Sequence, residues 1–158
     1  MTAKKFLGDI IARGLKFTGQ ADTLKVYGEG IWSPSLDSSG GMSGATFTSS
    51  GQYVRIGRLV FVRFAMNVTY RGTEGSGTLL INNLPFICSS SEAIVSSNIR
   101  YPGLQTPSGQ SALMIVSPGV SRITLGTING GDILWGHLPD PGTAALLGAL
   151  TYTADQPA

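Results

Sequence analysis

Few side chains in this sequence could carry chemistry. His137 is the only histidine and Cys88 the only cysteine. One chain therefore cannot build a metal centre on several histidines, and only three copies meeting on a symmetry axis would bring three imidazoles together. A Ser-His-Asp triad would have to use His137, and no G-x-S-x-G turn presents a nucleophile to it. His137 sits in the turn-rich stretch WGHLPDP and reads as a loop histidine. Cys88, in PFICSS, has no basic neighbour in sequence, and reads as a small buried hydrophobe that has no intrachain disulfide partner. Paired carboxylates could hydrolyse a glycosidic bond. The acids after residue 28 are Glu29, Asp37, Glu74, Glu92, Asp132, Asp140 and Asp155. All fall in expected loops or near strand ends, where solvated acids usually sit. The expectation is a protein that is not an enzyme, with no catalytic residue, no metal site and no cofactor.

The elements that would hold these residues follow from composition. Charged residues are only 13% of the chain, against 22 glycines and 42% apolar residues, which suits many short strands joined by tight turns. A surface so poor in charge is weakly protected against self-association, a fault in a monomer and tolerable in a fixed assembly. The net charge of +2 is uneven. Residues 1–25 hold all four lysines and Arg13 against two acids, and the remainder holds six arginines against seven acids.

Within residues 3–17, Phe6, Leu7, Ile10, Ile11 and Leu15 recur at helical spacing and predict a short N-terminal α-helix whose apolar stripe needs a surface to cover it. Asp9 and Arg13 interrupt the apolar run, so a signal peptide is not expected. Residues 18–51 read as a linker that becomes an extended edge segment. The strongest strand signal is LVFVRFAMNVTY, in which Val60, Val62, Phe64, Met66, Val68 and Tyr70 form one apolar face. Gly57-Arg58 before it suits a type II′ hairpin turn with Tyr53–Ile56. Further strands are expected over 78–84, 93–100, 112–116, 121–128, 133–135 and 146–153, punctuated by prolines and Asn129-Gly130-Gly131. The fold class is all-β, an antiparallel, jelly-roll-like β-sandwich over residues 28–158, preceded by the helix and linker of residues 1–27.

The order and spacing of GIWSPSL, GATFTSSGQY, GQYVRIGRLVFV, GTLLINNLPF and the terminal LTYTAD resemble a family of β-sandwich modules in phage tail fibres and other virion surface proteins. The resemblance covers roughly residues 28–155. It implies a homotrimeric virion protein, assembled in the host bacterial cytoplasm: a short tail-fibre or tail-tip protein contacting the host surface, or a capsid decoration or head-fibre protein. A glycan-cleaving spike is the enzyme alternative, since some phage spikes cleave host polysaccharide. The segment outside the match would dock on other tail or capsid proteins through Phe6, Leu7, Ile10, Ile11 and Leu15.

Host surface glycan or receptor would be met by exposed aromatic and polar side chains on loops. The candidates are Tyr70, Arg71 and Glu74 in one loop and Trp135 and His137 in another. Neither nucleic-acid binding nor membrane insertion is expected. The basic segment lacks interleaved aromatics beyond those of its own stripe, and carries no Trp or strongly charged face.

Overall fold

The alternation in LVFVRFAMNVTY organises the molecule. In the computed structural model, which describes residues 15–16, 23–24, 27–91, 93–107, 110–140 and 143–155, this segment is one long strand whose Val60, Val62, Phe64, Met66 and Val68 are buried. The chain forms β1 (Leu15–Lys16), β2 (Thr23–Leu24), β3 (Tyr27–Trp32), β4 (Ser35–Ser38), β5 (Met42–Ser43), β6 (Thr46–Ile56) and β7 (Leu59–Tyr70). It continues with β8 (Glu74–Gly75), β9 (Leu79–Asn82), β10 (Ile94–Ser96), β11 (Ile99–Arg100), β12 (Ala112–Val116), β13 (Ile123–Thr127) and β14 (Ala144–Thr153). Trp135–His137 is a single 3-10 turn.

Two five-stranded sheets result, in the orders β11-β14-β7-β6-β3 and β10-β12-β13-β9-β4, and every pairing is antiparallel. Side chains alternate across each strand, so the facing sides supply one core. Val62, Met66, Leu146 and Tyr152 from the first sheet and Leu79, Ile81, Met114, Ile123 and Leu125 from the second belong to it. The all-β, antiparallel architecture agrees with the sequence reading.

At the β6–β7 hairpin Gly57 has φ +61 while no positive φ falls on Arg58, as a type II′ turn requires. Beside that hairpin, buried Arg55 lies 4.5 Å over the Phe86 ring and donates to the backbone oxygens of Gly57 and Asp155. Tyr27 pairs with Ile56, and Cys88 bridges to Ala154. The chain therefore enters and leaves the sandwich at this pole. The strands run from it to a second pole, where Tyr70 ends β7 and Ala144 begins β14.

Several expectations need correction. Leu15–Lys16 is extended and pairs with Thr23–Leu24, so the predicted helix does not reach Leu15. Phe6, Leu7, Ile10 and Ile11 lie outside the described residues. Tyr70 does not continue the buried face of β7 and is 41% exposed: the β6–β7 register shifts between Thr46 and Phe47, so the alternation is broken before Tyr70. The expected linker over residues 18–51 contains β2 to β5 and the first half of β6. The strand expected at 133–135 gives way to the 3-10 turn, and that expected at 93–100 divides between the two sheets as β10 and β11.

Candidate functional site

The two loops singled out in the sequence meet at the second pole. Gly72 breaks from β7, and the next residues turn back so that Glu74–Gly75 pairs with Met42–Ser43 in a small ribbon. The 3-10 turn at Trp135–His137 lies against this ribbon. The Arg71 guanidinium stacks 4.4 Å from the centre of the Trp135 ring, a favourable cation–π position. It also reaches the Asp140 carboxylate at 2.7 Å and the Leu138 carbonyl at 3.3 Å. The Trp135 indole N–H donates to the Arg71 carbonyl at 3.0 Å. A Cβ on Gly75 would fall 2.5 Å from the indole nitrogen, so the ring occupies the place where any other residue would put a side chain.

Of the expected contact residues, Tyr70 and Glu74 are exposed, while Arg71, Trp135 and His137 are half-buried. The Leu134 backbone N–H donates to His137 Nδ1 at 3.0 Å, which ties the imidazole to its own turn. Arg71 and Trp135 are thus engaged in holding this pole together, and what faces outward is a rim formed by Tyr70, Glu74 and Asp140. Sequence spacing did not signal Asp140 as the partner of Arg71.

Two further carboxylates, Asp132 and Asp37, are already bonded. Asp132 accepts from the Thr78 hydroxyl at 2.8 Å, and Asp37 accepts from Asn82 Nδ2 at 3.1 Å and the Ser38 N–H at 2.8 Å. Among the described residues no group of three or more His, Cys, Asp or Glu is placed to hold a metal ion, and no helix is long and apolar enough to cross a membrane.

Arg71→Ala is expected to lower stability by roughly 1–3 kcal/mol, since a half-buried charged donor and its ring contact are lost together. The near-ultraviolet circular dichroism should change with it, as Trp135 loses its cover. An unaltered signal and midpoint would show that the stack contributes nothing.

A second surface was not signalled. The outer side of the first sheet carries Tyr27, Ile31, Ile56, Leu59, Phe61 and Leu147, all strongly exposed. In β7, Leu59 and Phe61 alternate with the buried residues on this outer side until Arg63 interrupts them. Around Leu59 and Phe61 both faces of that strand are apolar.

No family model matches the chain, and no curated protein does either. Among solved structures, the crystal structure of the Dettilon tailspike protein (gp208) matches with a TM-score of 0.59 at 18% identity. The match covers 80% of this chain and 24% of that one, so the chain spans about a quarter of the tailspike's length. At that identity the likeness is one of fold. It corrects the expectation that the chain is not an enzyme. A similar fold recurs within a tailspike, and a glycan-cleaving spike is the enzyme alternative of the sequence analysis, so the all-β scaffold is no argument against catalysis.

Proposed function

We propose that the chain is a virion component of a phage tail, a short tail-fibre or tail-tip module that works as a homotrimer. It docks on the particle through its amino-terminal segment and meets host surface glycan or receptor with the opposite pole. The observation that carries this reading is the recurrence of the fold within a tailspike protein. The polarity of the sandwich supports it further. Tyr27 and Asp155 share one pole, so docking through the preceding segment leaves the pole of Tyr70, Glu74 and Asp140 turned outward.

Deleting residues 1–17 tests the anchor. Particles assembled with the shortened protein should lack it in immunoblots, while the purified sandwich still folds. Normal incorporation would place the anchor elsewhere. The purified full chain should adhere to host cells and reduce phage adsorption, and Tyr70→Ala with Glu74→Ala should weaken both effects. Labelling of the head in electron micrographs would overturn the tail reading. Oligosaccharide release from host polysaccharide would place the module among the cleaving spikes.

A further inference from the structure

We infer that the outer face of the β11-β14-β7-β6-β3 sheet is the surface through which copies of this chain pack on one another, which gives the trimer proposed above its interface and rests on that reading. The first observation is concentration. Six of the eleven large hydrophobic side chains that stand exposed among the described residues lie on this single face: Tyr27, Ile31, Ile56, Leu59, Phe61 and Leu147. The strand register makes the five on β3, β6 and β7 one field. Tyr27 pairs with Ile56 and Ile56 with Leu59, and Val54 pairs with Phe61, while Leu147, opposite Ala65, stands apart beyond Arg63. Scattered exposed hydrophobics are ordinary, but a contiguous field marks a surface that is covered in use.

The second observation is where the field lies. It occupies the half of the face nearest the Gly57 hairpin, where the chain enters at Tyr27. Beyond Arg63 the face is mostly polar apart from Leu147 and the alanines, with Asn67 and Thr69 on β7 beside Thr48 and Thr46 on β6. Copies tethered at a shared docking point meet first at that near half.

The third is charge. Glu29 and Arg63 both line a shallow recess of about 590 Å³ that also takes in Ile31, Val54 and Phe61. Glu29 accepts from the Tyr27 hydroxyl and Arg63 donates to the Gln52 side-chain oxygen. Among the described residues neither is in an ion pair, the pairs being Arg58–Asp155 and Arg71–Asp140. An apolar field bearing one acid and one base complements itself, because a symmetry mate can set its Glu29 against Arg63. A partner of single-signed charge would leave one of the two unmatched. Ile31, on the edge strand of the sheet and part of the recess wall, is 84% exposed and is the most open apolar side chain of the field.

The test is the mass of the full chain in light scattering coupled to size exclusion. The wild type should run as a trimer. Phe61→Arg, Glu29→Lys and Arg63→Glu should each reduce it to one chain, and combining Glu29→Lys with Arg63→Glu should restore the trimer. Unchanged circular dichroism and unfolding midpoints in the exposed-site variants would establish that they are folded. As a second readout, Glu29→Cys with Arg63→Cys should oxidise to covalent multimers. The two positions lie two strands apart, about 10 Å, which is too far for a bond within one sheet, and the native Cys88 is buried.

A wild-type trimer that survives all these substitutions overturns the inference and leaves the trimer reading standing, whereas a monomeric wild type overturns both. If that monomer binds host polysaccharide and Phe61→Arg abolishes the binding, the face belongs to a glycan. If a Phe61→Cys thiol becomes reactive to maleimide only after residues 1–17 are removed, the face belongs to the chain's own amino-terminal segment. Either result overturns the inference.

Discussion

Replacing Tyr152 with alanine should lower the unfolding free energy by about 3–5 kcal/mol, as truncation of a large core aromatic does. Total stabilities run at only about 5–15 kcal/mol, so the variant should be near the limit of folding at 37 °C. Tyr152 is 1% exposed on β14, paired with Val60 at the pole where the chain enters. Its hydroxyl donates to the Phe86 carbonyl at 2.9 Å and accepts from the Phe86 N–H at 3.3 Å. It thereby holds the segment that follows β9 against the sandwich. Tyr152→Phe keeps the ring and leaves those two backbone groups without the hydroxyl, a loss of roughly 1–3 kcal/mol.

The same residue sets an alkaline limit. Burial, the largest cause, pushes the Tyr152 hydroxyl well above the ordinary value of 10.0; the Phe86 hydrogen bond opposes this, Cys88 adds to it, and Arg55 opposes it. With the folded value raised, the stabilisation is fully present below the unfolded value of about 10 and is lost as pH rises above it. Tyr27 is also raised, by its hydrogen bond to Glu29, and it is present in both proteins. The difference between wild type and Tyr152→Phe therefore isolates the buried group. Urea midpoints measured at about pH 8 and about pH 11 should converge between the two proteins at the higher pH. A gap that stays constant would show that Tyr152 does not titrate with unfolding.

The second large effect lies at the opposite pole. Gly72 has φ +94, and a Cβ there would lie 2.1 Å from the Ser43 carbonyl oxygen and 3.0 Å from the Ala45 nitrogen. Both obstacles are backbone, so no side chain can swing aside. Gly72→Ala combines an unfavourable backbone conformation with that collision, and a loss of roughly 2–4 kcal/mol is expected. The consequence should be local as well. The β5–β8 ribbon must move from Arg71, so Trp135 loses the Gly75 surface on which it rests. Host adhesion, if it uses Tyr70 and Glu74, should fall more than the global midpoint suggests. Equal stability of Gly72→Ala and wild type would mean that this turn adopts another backbone path.

What was legible beforehand was local. β7 announced itself through a period of two, β12 matched its expected bounds, and Gly57 declared the hairpin, each from residues adjacent in sequence. β6 was not seen over TFTSSG because serine, threonine and glycine read as turn formers. Gly51 is there to admit a ring: a Cβ on it would fall 2.3 Å from the Trp32 indole nitrogen, as one on Gly75 would meet Trp135. A glycine seating a tryptophan across the sheet leaves no periodic trace. Nor could spacing reveal that Arg71 and Asp140, 69 positions apart, form an ion pair. The two loops of the candidate site were each named, but their union was made by long-range packing. The apolar outer face was obscured for another reason. Both sides of β7 are apolar near Leu59 and Phe61, and alternation shows only where one side is polar.

The poles described above also decide how the molecule bears force. A pull applied between the Gly57 pole and the Trp135 pole acts along β6, β7 and β14, which run 11, 12 and 10 residues side by side at the middle of their sheet. Their hydrogen bonds lie across that direction, so the rungs are loaded together in shear and must yield together. Traction on neighbouring residues at one pole would instead peel the same ladder open one rung at a time. A sandwich held at one pole and gripped at the other meets tension in its stiffer geometry.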